Sequence, residues 1–180
     1  MKNPEDTRRL MRGRKFNTEE LQLKILWFLR EAPAHGYELI KRFSEVSAGY
    51  YSPSPGMLYP ILAQLEAQGL AQVELAGKRK IHHITAAGLE YLQQHAEQAQ
   101  LLIASLKHAA RKMLWMSQVN ESEAAAMAAT GWLPGYIEAR KALQTALLMR
   151  GDADHDEQRR IIAILQRAAS DIAQKTTYES

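Results

Sequence analysis

The chain has 180 residues and a mass of 20.3 kDa, room for one ordinary domain or two small ones. Hydrophobic residues make up 46% and charged residues 24%, a globular composition, and the lack of cysteine excludes disulfides, thiol nucleophiles and cysteine-held zinc. The formal net charge of +3 sits in the first half: residues 1–90 hold 13 Lys and Arg against 10 Asp and Glu, whereas residues 91–180 hold 10 of each.

Two basic spots concentrate that charge. One is the arm with Lys2, Arg8, Arg9, Arg12, Arg14 and Lys15, and the other is the triplet Lys78-Arg79-Lys80. Concentrated positive charge points to a polyanionic partner. No apolar run approaches the ~20 residues that a bilayer span needs, and none follows the basic arm as a signal peptide would. A cytoplasmic protein is expected.

After the arm, Thr18 with Glu19 and Glu20 reads as a helix start, and Leu21, Ile25, Phe28 and Leu29 form its apolar stripe. Pro33 stops that helix. A second helix is expected from about His35-Gly36-Tyr37, with Leu39, Ile40, Phe43 and Val46 on one side and Gly49 at its end. The stretch Tyr50–Gly56, with two prolines, is a turn. In the third helix Leu58, Ile61, Leu62 and Leu65 face the core, while Gly56, Tyr59, Pro60, Ala63, Gln64 and Ala67 lie opposite. Pro60 costs about 3 kcal/mol inside a helix, so the spacing predicts a start near Gly56 with Pro60 in the first turn. Gly69 closes the helix. Leu70–Leu75 and Ile81–Thr85 then flank Ala76-Gly77-Lys78-Arg79-Lys80, the pattern of a β-hairpin with a basic tip.

From Thr85, a candidate N-cap, one long helix is expected to about Met113. Leu89, Leu92, Ala96, Ala99, Ile103, Leu106, Ala110 and Met113 are spaced alternately 3 and 4 apart, a heptad seam that asks for a partner helix. Asn120-Glu121-Ser122-Glu123 resembles a capping box, Trp132-Leu133-Pro134-Gly135 interrupts the helical pattern, and two more helices are expected at about 136–150 and 154–175. The fold class is therefore mainly α. A winged helix-turn-helix domain with a small β-hairpin wing is followed by an all-helical dimerisation domain. The expected divisions are a basic arm at 1–17, the winged domain at 18–86, and a helical dimerisation domain at 87–180.

These residues resemble the PadR family of bacterial transcriptional regulators. The resemblance runs through His35-Gly36-Tyr37-Glu38-Leu39, Ser54-Pro55-Gly56-Met57-Leu58-Tyr59-Pro60-Ile61-Leu62, Leu65-Glu66, Gly69-Leu70 and Ile84-Thr85 with Gly88, covering about residues 18–92. It implies a homodimeric winged-helix repressor that releases a pseudo-palindromic operator when it senses a small molecule or ion. Some similar members bind metal through a His-rich N-terminal tail; residues 1–15 here contain no histidine, and no metal site is expected. Members that bind aromatic effectors use apolar residues near the dimer centre, and Trp115, Trp132 and Tyr136 are the residues of that kind here.

Duplex DNA is the expected partner. Lys78, Arg79 and Lys80 on the wing, with Arg12 and Arg14 on the arm, would neutralise phosphates. On the third helix Gly56 permits close approach, Tyr59 can donate or accept a hydrogen bond, Gln64 can pair with adenine, and Ser54 can cap the helix and touch a phosphate. Tyr37 reaches a phosphate or packs beneath the turn. Leu89, Leu92, Ile103, Leu106 and Met113 would form the dimer seam. Asp152, Asp154 and Asp156 mimic a calcium loop, but Glu157 stands where glycine is needed. His82 and His83, adjacent on a strand, point to opposite faces and cannot share a metal. No nucleotide loop or nucleophile–base set is present, so no catalytic residue and no enzyme are expected. No motif assigns a cofactor, and haem and flavin both stay open as effector ligands. The rival reading is a dimeric ligand-binding or protein-interaction module that no longer reads DNA, which the sparse charge of the third helix would suit.

Overall fold

The computed structural model describes residues 17–77 and 79–174, so Arg12, Arg14 and Lys78 lie outside the described residues. Along the chain these residues form helix α1 (Thr18–Glu31), strand β1 (Ala34–His35), α2 (Gly36–Val46), α3 (Pro55–Ala67), β2 (Ala71–Ala76), β3 (Arg79–Ile84), α4 (Ala86–Gln94), α5 (Ala96–Gln118), α6 (Glu123–Thr130), α7 (Pro134–Leu148) and α8 (His155–Ala173). The chain divides after Gly131 into two compact units.

Helix α1 is the centre of the first unit. Beyond the expected stripe it also buries Leu23, Lys24 and Leu26, so it is covered nearly all round. Its neighbours explain this: α2, α3, α4, α5 and β3 all pack on it. Arg42 of α2 closes its end, with Nη1 donating to the carbonyls of Phe28 (2.9 Å) and Ala32 (2.8 Å) and Nη2 to that of Pro33 (3.2 Å). The guanidinium thus meets the carbonyl groups that a helix C-terminus leaves open, at the negative end of its dipole.

Helices α2 and α3 make the helix-turn-helix. His35 caps α2 through a full capping box: its ring accepts from the Glu38 N–H, and the Glu38 carboxylate accepts from the His35 N–H. The turn beyond is held by the buried Ser47 hydroxyl, which accepts from the Tyr51 N–H (2.8 Å) and donates to the Tyr51 carbonyl (2.7 Å). Pro55 opens α3 at the first helical position, where its missing donor costs nothing. Pro60 therefore lies inside the helix rather than in its first turn. It is tolerated because it is on the exposed face, where solvent can reach the carbonyl left without its helical donor. Leu58, Ile61, Leu62 and Leu65 face the core as the sequence pattern requires.

The hairpin is part of a three-stranded antiparallel sheet in the order β1-β3-β2. Ala76 pairs with Arg79 across a two-residue connection in which Gly77 has φ +64°. The third strand, β1, pairs Ala34 with His82 and His35 with Ile81, which ties the start of α2 to the wing.

The long helix expected from Thr85 is broken at His95, which ends α4 and precedes α5. The His95 ring Nδ1 lies 2.9 Å from the Tyr91 carbonyl, and the two rings stack 4.3 Å apart. A side chain engaged with the helix ladder is a recognised cause of such a kink. The heptad pattern crosses this break, but Leu92, Ala99, Ile103 and Leu106 enter the chain's own core, Leu89 is 44% exposed, and Met113 is half-buried. The burial of the seam is accounted for within one chain, so the seam does not by itself require a second copy. The first unit also runs past residue 86 through α4, α5 and α6. Ser122, not Asn120, caps α6, accepting from the Ala125 N–H. In the second unit, α8 is amphipathic, and neither α7 nor α8 has a fully buried residue.

Candidate nucleic-acid interface

The exposed side of α3 carries Pro55, Gly56, Met57, Tyr59, Pro60, Ala63, Gln64 and Ala67, with no charged residue among them. It is a flat, nearly neutral surface from which Tyr59 projects, half exposed. Beside it lies a cleft of about 610 Å³ lined by His35, Gly36, Tyr37, Tyr59, Arg79, Lys80 and His82. Three elements meet there: the N-terminus of α2, the recognition-type helix α3, and the wing strand β3. The positive end of the α2 dipole and the Arg79 and Lys80 cations give the cleft the charge that α3 lacks.

The expected residues are distributed as follows. Tyr37 and Tyr59 share the cleft with Arg79 and Lys80, and Tyr37 is 71% exposed rather than packed beneath the turn. Gly56 is open to solvent at the start of α3, with only Ser54 Oγ within 4.0 Å of an added Cβ. Ser54 occupies the N-cap position of α3, but its hydroxyl makes no capping bond and is left to face outward. Gln64 is committed more than expected: its Oε1 accepts from Gln22 Nε2 of α1 at 3.3 Å. A bidentate pairing with adenine needs that oxygen, so Gln64 as it stands offers a base its amide donor alone.

The aromatic candidates for an effector site are divided between the units. Trp115 is buried on α5 in the first unit. In the second, the Trp132 and Tyr136 rings lie 6.0 Å apart, and the Arg140 guanidinium stands 5.6 Å above the Tyr136 ring. Among the described residues no group of histidines and carboxylates is arranged to hold a metal, and no helix is long and apolar enough to cross a membrane.

Sequence reasoning missed the His82–Glu66 pairing behind the cleft. His82 is 3% exposed, and its Nδ1 faces Glu66 Oε1 of α3 at 3.3 Å, close enough for an ion pair but off the line of a hydrogen bond. Burial lowers the His82 pKa, and Lys80 and His83 push the same way, against the Glu66 carboxylate. Strand alternation puts His82 on one face of the wing, but no local pattern marks its partner Glu66, and β1, whose Ala34 pairs with His82, is too short to leave one.

A helix-turn-helix followed by a basic two-stranded wing, with a third short strand before the second helix, is a winged-helix domain. Residues 25–94 match the Transcriptional regulator PadR-like family. Transcriptional regulator YqjI of Escherichia coli (strain K12) is 33% identical over 165 residues, which cover 91% of this chain and 73% of that one. Among solved structures, a transcriptional regulator from Clostridium thermocellum is 26% identical over 48% of this chain and 89% of its own, with a TM-score of 0.42. A PadR-like transcription factor from Bacteroides fragilis is 23% identical over 51% of this chain and 90% of its own, also with a TM-score of 0.42. The chain belongs to the PadR-like family of transcriptional regulators, which are not enzymes.

Proposed function

We propose that the protein is a cytoplasmic, homodimeric repressor that binds a pseudo-palindromic DNA operator through α3 and the wing and releases it on binding a small-molecule effector. The observation that carries the DNA-binding part is the cleft where Tyr37, Tyr59 and the α2 N-terminus meet Arg79 and Lys80 beside an uncharged helix face. A strand of phosphates along that cleft would meet cations and backbone donors. The flat face of α3 could then approach base edges without displacing charge of its own. Lys78, Arg12 and Arg14 would extend the phosphate contacts.

Two copies are needed to read both halves of such an operator, with the α3 helices about 34–36 Å apart in successive major grooves. Helices α7 and α8 supply the surface for the second copy. They span 15 and 19 residues, and no side chain on either is buried within the chain. A pair of helices whose apolar residues are at most half-buried, as Ile137, Ile161 and Leu165 are, offsets little of its own ordering entropy. The Trp132–Tyr136–Arg140 group in the same unit is the candidate effector contact, suited to an aromatic or anionic molecule.

The test is a mobility shift of the full chain against the duplex upstream of its own coding sequence, repeated over a salt series. Replacing Arg79 and Lys80 by alanine should weaken binding to every duplex and reduce the magnitude of the log–log salt slope by about 2, since each lost phosphate contact contributes roughly 0.9. An unchanged slope removes the wing from the interface. A wild-type chain that retards no duplex would favour the rival reading, a dimeric module that binds a ligand or a protein and not DNA.

A further inference from the structure

Gly36 begins α2 on the floor of the cleft and is buried. A Cβ built on it would lie 2.7 Å from Tyr59 Cε1 and 2.9 Å from both Cζ and Oη. The Tyr59 ring therefore rests directly on the α2 backbone, in space that any side chain at position 36 would occupy.

Nothing else at this position requires glycine. Gly36 is not among the glycines with positive φ, and it is a helical residue, where intrinsic propensity favours alanine. The three atoms that a methyl group would meet first all belong to the far end of one rotatable side chain. An added methyl is thus accommodated by swinging the phenol away, which disturbs the fold little and the interface directly.

We infer that Gly36 is a positioning residue for DNA recognition: by leaving its Cβ space empty it seats the Tyr59 ring against the N-terminus of α2, with the hydroxyl held in the cleft between α3 and the wing. The inference rests on the proposed role of the cleft in binding DNA. A phenol seated in this way is preorganised, so binding does not have to immobilise it. Tyr59 then joins the two helices of the motif at the point where the duplex would lie.

The experiment is a double-mutant cycle on the full chain with Gly36→Ala, Tyr59→Ala and both together, measuring duplex affinity and thermal midpoint. Gly36→Ala should weaken binding at least tenfold while leaving the midpoint at or above that of the wild type. Tyr59→Ala should weaken binding by at least as much. The double variant should bind no worse than Tyr59→Ala, because alanine at 36 has no ring left to displace. Losses that multiply, or a Gly36→Ala protein that binds normally, overturn the inference while leaving the DNA-binding reading intact. A wild-type chain that binds no duplex, or a Tyr59→Ala protein that binds normally, defeats the role in recognition.

Nuclear magnetic resonance of the free protein tests the contact independently of DNA. The Gly36 Hα protons should carry a ring-current shift that disappears in Tyr59→Ala. Its absence from the wild type overturns the seating itself.

Discussion

Gly88, in the first turn of α4, lies against the main chain of Leu70: a Cβ at position 88 would stand 2.1 Å from the Leu70 carbonyl oxygen and 2.8 Å from Ile84 Cγ1. The same carbonyl accepts from the Thr85 N–H at 3.1 Å, and the Thr85 hydroxyl donates to the Gly69 carbonyl at 2.7 Å while accepting from the Gly88 N–H. The start of α4 is thus fastened to the strand entry that follows α3. Where Gly36 faces a ring that can turn, Gly88 faces backbone that cannot. Gly88→Ala should therefore destabilise the protein by about 1–3 kcal/mol or more, the range for forcing extra volume into packed structure. A urea midpoint lowered in Gly88→Ala and unchanged in Gly36→Ala is the expected pair of results; equal midpoints would mean that the Leu70 backbone yields.

Stability should fall in acid for a reason that traces to His82. Burial holds its folded-state pKa below the ordinary histidine value of 6.5, so the unfolded chain binds a proton more readily. The stability this group contributes is complete above pH 6.5 and is lost as pH falls from there through the folded-state pKa. Tyr51 acts at the other end of the scale. Burial raises its phenol from 10.0 to about 12, so its contribution is complete below pH 10 and is lost as pH rises towards 12. Denaturant titrations at intervals from pH 8 to pH 5 should show the acid decline in the wild type, and it should be shallower in His82→Gln. An identical slope in that variant would assign the decline to other groups.

Local chemistry explains which elements are legible in the sequence. Pro33, Gly69, Gly77 and Thr85 act on their own backbone, so the ends of α1 and α3, the start of α4 and the hairpin turn can be read residue by residue. The apolar face of α3 and the exposure of Tyr59 follow from a period of 3.6 in the same way. The break at His95 is hidden because the 3–4 spacing continues through it, and the kink comes from a ring engaging one carbonyl. Apolar periodicity also says that a face is covered without saying by what. Ile103 and Leu106 satisfy a heptad and are nevertheless buried in the core built around α1. The Gln22–Gln64 and His82–Glu66 pairs, the Arg42 clamp and the Tyr59–Gly36 contact join residues far apart in sequence or held by the fold, and no local pattern announces them.

That difference between a covered face and a partnered one gives a prediction about oligomeric state. Ile103 is 4% exposed within a single chain, so its truncation opens a cavity in the first unit. Ile103→Ala should cost about 2–5 kcal/mol of folding stability, as buried aliphatic truncations do, while the protein that remains folded keeps the wild-type association state. Ile162 on α8 is 50% exposed, and Ile172 on the same helix is 82% exposed, so neither has a core position in the chain to lose. A glutamate at either site leaves the fold of the first unit untouched but places a charge in the surface proposed for the second copy, where a buried unpaired carboxylate is strongly unfavourable. Sedimentation velocity should then show Ile162→Glu and Ile172→Glu shifted towards monomer by at least tenfold in dimer dissociation constant, with operator affinity falling in parallel because one reading head loses the other. The opposite outcome, dimers split by Ile103→Ala and unaffected by both glutamates, would return the dimer contact to the heptad seam of α5.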